Sequence, residues 1–471
     1  MPGDTQVYHC DYAWLGGETA EADVRVEVTG GVISAVVAGA PSDAAATGLA
    51  GLTMPGLANT HSHVFHRAIR GHSQSGVADF WRWRDLMYGV ASRLDPDSLY
   101  RLAHATYVEM ALSGITSVGE FFYVHHDAGG RRYADPNEMG RAVIRAANDA
   151  GIRITLLDTV YLQAGVNGEP LEETQLRFSD GSWQNWAGRV DELTDTPMAR
   201  AGAAIHSVRA VPRAALGPVA DYCRSRNLPL HVHVSEQPAE NAASADAFGL
   251  TPVGLLAAEN VLGPATTAVH ATHLTDDDVR LLGDSRTAIS MCCTTERDLG
   301  DGVGPAGRLV AAGSPLCVGS DAHMMIDLWE EGRAMELDLR LVSGSRGHLS
   351  VGQIAAAIST DGQAAIGWGG SAPGGGTAGI GTPAGGAAPD GMGGAGIAAG
   401  APADLVTVDL DSVRTAGARS GDVLATALFA ATASDVDSVM VGGRFVVRNG
   451  RHHAVDEPGR ELAAAIAAVL D

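Results

Sequence analysis

Two histidines separated by one residue, His61 and His63, have the spacing that could hold a metal ion. They follow an apolar run, residues 52–60, that is typical of a β-strand. Side chains at positions i and i+2 of a strand point to the same face, so both imidazoles can reach one ion. Three later strand-like runs also end in residues able to bind a metal or transfer a proton. These residues are His231, His233, Glu236, His270 and Asp321.

The elements that must position these residues alternate between strand and helix. Asp95 followed by Pro96 predicts a helix start, and an apolar stripe continues from there to Gly114. Eight strand–helix units can be counted, which predicts a (β/α)₈ TIM-type barrel. Catalytic residues of such barrels collect at the carboxyl ends of the strands. The predicted strands are residues 52–60, 115–122, 152–160, 203–206, 228–235, 267–270, 288–291 and 316–320.

Both ends of the chain contain short strands and turns, which predict a small β-sandwich domain built from the two ends. A tract rich in glycine, alanine and proline precedes the C-terminal strands. It cannot bury enough apolar surface to fold alone, so we expect a disordered or irregular loop. The predicted division is 1–50 and 403–471 for the sandwich with a terminal helix, 51–368 for the barrel and 369–402 for the loop insertion.

Charge and cysteine content exclude several kinds of partner. The net charge is −23, which argues against binding to nucleic acid or to an anionic membrane surface. Five cysteines without a Cys-x-x-Cys pair do not predict a disulfide scaffold or a thiolate zinc site. The start of the sequence does not resemble a signal peptide, and we see no apolar stretch of membrane-spanning length. We therefore expect a cytoplasmic protein.

The sequence contains no lysine, and all 32 basic residues are arginine. Chemistry that needs a Schiff-base lysine or a P-loop lysine is therefore excluded. A pair of metal ions bridged by a carboxylated lysine is excluded for the same reason.

The residue types at the strand ends suit zinc. His61, His63, Asp321 and one histidine of the pair His231 and His233 would supply three imidazoles and a carboxylate, with a position left for water. Fe²⁺ is the alternative on ligand type. The ion would bring the pKa of a bound water from about 15.7 toward about 7, which makes hydroxide available at neutral pH.

Together these motifs resemble the deaminase branch of the amidohydrolase superfamily. The motifs are residues 54–63, the His-x-His-x-x-Glu run at 231–236, His270 and Gly319-Ser-Asp321. The resemblance implies a barrel with a β-sandwich and one metal ion. It selects His233 as the third histidine ligand, because that residue stands three positions before the glutamate.

The resemblance also implies catalytic roles. A metal-activated hydroxide would attack an amidine carbon and expel ammonia. Asp321 would take the proton of the water, and Glu236 would carry a proton to the substrate nitrogen and the leaving group. His270 would polarise the attacked centre.

Four further segments are similar to formimidoylglutamate deiminases, which convert N-formimino-L-glutamate and water into N-formyl-L-glutamate and ammonia in histidine degradation. The segments are residues 79–88, 120–127, 206–211 and 294–302. The similarity implies a small dicarboxylate substrate and favours a homodimer. Arginines can bind carboxylates through two hydrogen bonds. The substrate-contacting positions that the similarity implies are His66, Arg84, Tyr123, His206 and Arg209.

Two positions depart from that family. His66 stands where the family typically has glutamine, and an imidazole donates to a carboxylate with a charge that depends on pH. The second departure is Cys293, which replaces a proline in the segment before Glu296.

Two other functions stay open. The first is a deaminase of the same branch that acts on guanine-like or other ring amidines, which would need fewer arginines and more stacking groups. The second is a barrel scaffold without catalytic activity, although such a protein would be expected to lose ligands that this chain keeps.

Overall fold

The structure, a computed structural model, describes residues 5–72, 80–369 and 396–470. Its strands fall into two sheets, one of which is a parallel barrel. In chain order the strands are β1 (Thr5–Ala13), β2 (Glu21–Thr29), β3 (Val32–Val37), β4 (Thr47–Pro55), β5 (Leu57–Ser62), β6 (Ile115–Phe122), β7 (Arg153–Val160), β8 (Ala199–Ile205), β9 (Leu230–Val234), β10 (Thr266–His270), β11 (Ala288–Met291), β12 (Leu316–Val318), β13 (Leu405–Val408), β14 (Val436–Val441), β15 (Arg444–Arg448) and β16 (Arg451–His452).

Helices connect the strands of the barrel, and Asp95 caps α2 as predicted by accepting a hydrogen bond from the Ser98 backbone. The helices are α1 (Phe80–Arg93), α2 (Pro96–Leu112), α3 (Glu138–Asp149), α4 (Trp183–Val190), α5 (Arg213–Arg226), α6 (Pro238–Phe248), α7 (Pro252–Ala258), α8 (Asp276–Asp284), α9 (Cys293–Leu299), α10 (Ala306–Ala312), α11 (Leu328–Ser343), α12 (Val351–Ile358), α13 (Thr360–Ala365), α14 (Val423–Ala430) and α15 (Pro458–Leu470). None of the helices described is long and apolar enough to cross a bilayer.

The barrel consists of β5 to β12, in which each strand is parallel to its sequence neighbour. Strands β6 and β7 are buried over their whole length, as expected where helices cover a parallel sheet. The (β/α)₈ barrel predicted from the alternation of strands and helices is confirmed. All the strands end at one mouth, which brings the strand-end residues together.

Strand β12 returns to β5 and nearly closes the barrel. The Asp321 backbone N–H donates to the His61 carbonyl at 3.0 Å, and the His63 N–H donates to the Asp321 carbonyl at 3.3 Å. Gly319 allows this approach, because a Cβ at that position would lie 2.5 Å from the Cβ of His61. The closure therefore places residues from opposite ends of the barrel sequence side by side.

The second sheet contains strands from both ends of the chain, as predicted. Its strand order is β16-β15-β14-β13-β4-β1-β2-β3. The Ile33 N–H donates to the Ala401 carbonyl, and the Ala403 N–H donates to the Gly31 carbonyl. These bonds join the β3 edge to the segment before β13, so the sheet curls over its own apolar cluster. A buried ion pair, Arg153 Nε to Asp404 Oδ2 at 2.6 Å, joins this sheet to β7 of the barrel.

The strand predicted at residues 52–60 is divided in the structure. Its first part belongs to β4, which pairs with β1 and β13, and its second part is β5 of the barrel. The change of sheet lies at Gly56, where a Cβ would be 2.2 Å from Thr116 Oγ1. The predicted boundary between residues 50 and 51 therefore falls inside β4.

Most of the glycine-rich tract, residues 370–395, lies outside the described residues. Its last residues are irregular but packed, because Ile397 and Ala401 are buried in the apolar cluster of the second sheet. The prediction of disorder for the rest of the tract stays a prediction.

Candidate active site

Four side chains converge at the mouth of the barrel. His61 and His63 lie at the end of β5, His233 lies in β9, and Asp321 follows β12. The His233 Nε2 atom is 3.0 Å from His61 Nε2 and 3.3 Å from His63 Nε2. Asp321 Oδ1 is 3.4 Å from His61 Nε2 and 3.5 Å from His63 Nε2. These four ligand atoms therefore face one point.

Hydrogen bonds on the far side of the His63 and His233 rings show which nitrogen of each ring carries the proton. His63 Nδ1 lies 2.9 Å from the Phe121 carbonyl, and His233 Nδ1 lies 2.8 Å from the His206 carbonyl. A carbonyl only accepts, so each Nδ1 carries the proton and each Nε2 has a lone pair. Two lone pairs this close repel each other unless a cation lies between them. The cluster therefore fits a metal ion.

The protonation states agree with that role. Burial lowers the pKa of His61, His63 and His233, which keeps the imidazoles in the neutral form that binds metals. Burial alone would raise the pKa of Asp321, but the adjacent His61 holds it well below its usual value. Three imidazoles and one carboxylate are a typical ligand set for Zn²⁺.

His231 lies outside this cluster although it shares β9 with His233. Its ring is buried within the barrel, and its Nε2 bonds to the Ala365 carbonyl at 3.1 Å. The ring is thus in a lower layer of the barrel. Its geometry suits packing and hydrogen bonding inside the barrel.

Glu236 and His270 lie beside the metal cluster. His270 Nε2 is 3.8 Å from Glu236 Oε1 and 3.8 Å from Asp321 Oδ2. Burial raises the pKa of Glu236. Burial alone would lower the pKa of His270, but Glu236, Glu296 and Asp321 raise it to about 10. The arrangement offers a carboxyl group and an imidazole for proton transfer next to the metal cluster.

His66, Tyr123 and His206 border the histidine cluster. His66 Nε2 is 3.1 Å from the Tyr123 hydroxyl, and the His66 ring centroid is 4.7 Å from that of His63. The ring of His206 is 5.1 Å from that of His233. These three side chains therefore form a polar, aromatic wall beside the metal ligands.

Arg209 and Arg84 lie farther from the metal cluster, and both are close to Tyr88. Arg209 Nη1 donates to the Ala164 carbonyl at 3.4 Å, and its guanidinium lies near Tyr161, whose ring is 4.6 Å from that of His206. The guanidinium carbon of Arg84 is 5.4 Å from the centroid of the Tyr88 ring. Burial raises the pKa of Tyr88, and the charges of Arg209 and Arg84 both oppose that rise. The wall of histidines and tyrosines thus ends in two guanidinium groups.

Three residues at the mouth were not singled out from the sequence. Tyr161 directly follows β7, so the strand-end position could have identified it. Tyr88 lies in the segment 79–88 and Glu296 in the segment 294–302. Neither residue belongs to the predicted set of metal ligands, and their contacts in the site depend on the fold. Residue 79 and the side chains of residues 80–82 lie outside the described part of the chain.

Comparison with known proteins gives consistent matches. The sequence model of the amidohydrolase family matches residues 52–372. A formimidoylglutamate deiminase of Pseudomonas aeruginosa is 35% identical over 457 residues, which cover 95% of this chain and 96% of the relative. An 8-oxoguanine deaminase of the same species is 28% identical over 88% of this chain and 85% of the relative. The crystal structure of an amidohydrolase from Brucella melitensis has a TM-score of 0.86 and 29% identity, and the match covers 99% of this chain and 100% of that one.

The two histidines of β9 allow a matched test of the metal site. We expect His233→Asn to lose most of its bound metal, because one of three imidazole ligands is removed. His231→Gln should keep a donor for the Ala365 carbonyl and retain about one ion per chain, as the wild type should. Metal analysis of the purified proteins measures this, and equal retention by the two variants would exclude His233 as a ligand.

Proposed function

Because the chain belongs to the amidohydrolase family, and is therefore a hydrolase acting on C–N bonds, we propose that it deaminates N-formimino-L-glutamate in histidine degradation. Water and the substrate would give N-formyl-L-glutamate and ammonia. The observation that carries the proposal is the partly buried Arg209 and Arg84, which both lie near Tyr88 at one side of the site. Two cationic side chains beside a hydrolytic centre suit a substrate with two carboxylates. The relative at 35% identity supports the same substrate.

We propose that one Zn²⁺ binds to His61, His63, His233 and Asp321, with Fe²⁺ as the alternative. A bound zinc ion would supply Lewis-acid activation of water, which lowers the pKa of that water toward about 7. The absence of lysine supports a single ion. Among the described residues, two groups of side chains are close enough to hold a metal ion, one of His61, His63 and His233 and one of His61, His270 and Asp321. Because the two groups share His61, they support a single site.

Three side chains would handle the protons. Asp321 accepts a proton from the water as the oxygen bonds to the formimino carbon, and the C=N bond becomes single. Glu236 carries that proton and then the remaining hydroxyl proton to the terminal substrate nitrogen, so that the C–N bond breaks, ammonia leaves and both carboxylates return to their starting state. His270, 3.8 Å from both carboxylates, orients the new oxygen, which becomes the formyl carbonyl.

The remaining residues would bind the glutamate part of the substrate. Arg209 and Arg84 would bind the carboxylates, and Tyr161, which lies near Arg209, would help to orient its guanidinium. His66, Tyr123 and His206 border the metal ligands, where they would donate hydrogen bonds to the substrate. Such fixed donors would hold the formimino carbon beside the nucleophile.

Ammonia release from a substrate panel tests the function. The zinc-loaded protein should release ammonia from N-formimino-L-glutamate and not from guanine, 8-oxoguanine or adenosine, because neutral purines do not match two arginines. Turnover of purines alone would replace the proposal by a ring deaminase like the relative at 28% identity. No turnover of any compound after zinc or iron is restored would favour the scaffold.

The role of Glu236 can be separated from metal binding. Glu236→Gln keeps the size of the side chain but cannot shuttle a proton, so we expect kcat to fall by about 10²- to 10⁴-fold. The metal content should stay at the wild-type level, since Glu236 is outside the ligand set. Wild-type kcat in this variant would remove Glu236 from proton transfer.

The proposed carboxylate clamp can be tested with two arginines that are close in sequence. Arg209→Met should raise KM by about 10- to 100-fold, because a charged hydrogen bond contributes about 1.5–3 kcal/mol. Arg213→Met is the control, since this exposed residue pairs with Glu259 on the outer surface. Steady-state kinetics that are equal for the two variants would refute the clamp.

A further inference from the structure

Both ring nitrogens of His270 face carboxylates. The ring is almost completely buried, with its Nε2 directed toward Glu236 and Asp321. Its other nitrogen, Nδ1, lies 3.4 Å from Glu296 Oε1, within hydrogen-bond reach. Glu296 accepts but cannot donate when ionised, so it favours a proton on Nδ1. The orientation of the ring therefore depends on the position of Glu296.

Glu296 is held firmly in that position. The same atom, Oε1, accepts a hydrogen bond from the Cys292 backbone N–H at 3.0 Å, at the start of α9. The side chain is only 3% exposed. Helix α9 is in turn fixed to α11, because the Thr294 N–H donates to Glu331 Oε2 at 3.1 Å. The carboxylate of Glu296 is thus fixed by the backbone, and the His270 ring takes the orientation that its hydrogen bond to Glu296 requires.

The same helix and the turn that follows it also contact the loops of the other two proton-handling residues. The Ala322 N–H, next to Asp321, donates to Thr295 Oγ1 at 3.2 Å. Gln237, next to Glu236, donates to the carboxylate of Asp301, just after α9. Although β11 offers no metal ligand to the site, α9 and the turn that follows it therefore contact all three loops. Among these contacts, only that of Glu296 reaches a proposed acid–base side chain directly.

We propose that Glu296 is the positioning residue of His270. It accepts the Nδ1 proton and holds the ring so that Nε2 faces the reacting centre. Without this acceptor the ring can rotate or exchange tautomers, and the catalytic geometry is lost. The catalytic consequence rests on the proposed function, whereas the hydrogen bond itself does not.

A double-mutant cycle tests whether Glu296 acts through His270. On zinc-loaded enzyme, Glu296→Ala should lower kcat by about 10- to 100-fold with little change in KM or zinc content. In a His270→Asn background, the same substitution should change kcat by less than about 2-fold, because the partner is already gone. A full loss in both backgrounds would mean that Glu296 only supports the fold, and would overturn the proposal.

Two further variants separate positioning from folding. Glu296→Gln retains an oxygen for Cys292 and Nδ1, so it should lose less activity than Glu296→Ala. Glu330→Gln is the control, because Glu330 pairs with Arg297 on the outer side of α9 and should leave kcat unchanged. A Glu296→Gln variant as slow as Glu296→Ala, or an equal loss in Glu330→Gln, would contradict the proposal.

A proton NMR spectrum tests the hydrogen bond without any substrate. The wild type and Glu296→Gln should show a downfield Nδ1 proton that is absent from Glu296→Ala and from His270→Asn. Its persistence in Glu296→Ala, or its absence from the wild type, would overturn the positioning role. If the resonance behaves as expected but N-formimino-L-glutamate is not turned over, the proposed function fails and the positioning of His270 stands.

Discussion

The approach of β12 to β5 is the contact on which the candidate site depends, because it joins two of the histidines to the aspartate. A directed chain of hydrogen bonds stabilises this seam. Ser62 donates to Glu120, so its oxygen accepts from His323 Nε2 at 3.0 Å, and His323 Nδ1 must then accept from Ser320. Because each hydrogen bond determines the direction of the next, the chain has one arrangement of protons. It holds Ser62 and Ser320, which adjoin His61, His63 and Asp321. These hydrogen bonds therefore limit how far the backbone next to the ligands can move apart.

The charges at the mouth divide into two zones. Around the metal cluster lie the carboxyl groups of Glu236, Asp301 and Asp321, and burial raises the pKa of Asp301 to about 8. At the other side lie Arg84 and Arg209. For the proposed substrate this division sets the direction of binding, because the basic formimino group would face the carboxylates and its own carboxylates would face the arginines. It would also allow a strongly acidic protein to bind this anion, since the local arginines act over shorter distances than the net charge.

The sequence predicted the parts of the site that follow from periodicity. The His-x-His spacing and the strand-end positions follow from the two-residue repeat of a strand and from the barrel, which together bring distant residues to one mouth. The choice between His231 and His233 did not follow from the two-residue repeat, because both lie on one face of β9 and differ only in depth. It came from the family resemblance, which selects the histidine three positions before Glu236. The division of residues 52–60 was missed because β4 and β5 form one apolar run, whose break at Gly56 depends on contact with Thr116.

Backbone conformation is the part of the site least visible in the sequence. Ser235, His270 and Asp321 have positive φ angles of 53°, 68° and 41°, although none is glycine. Such conformations cost about 1–3 kcal/mol each and persist only where the surroundings enforce them. Here they fall at the ends of β9, β10 and β12, where each turns the chain sharply as it leaves the barrel. A glycine would relieve this strain but could not supply the imidazole of His270 or the carboxylate of Asp321. The three turns from which proton transfer would be carried out therefore lower the stability of the fold. The packing of the rigid barrel beneath them offsets this loss.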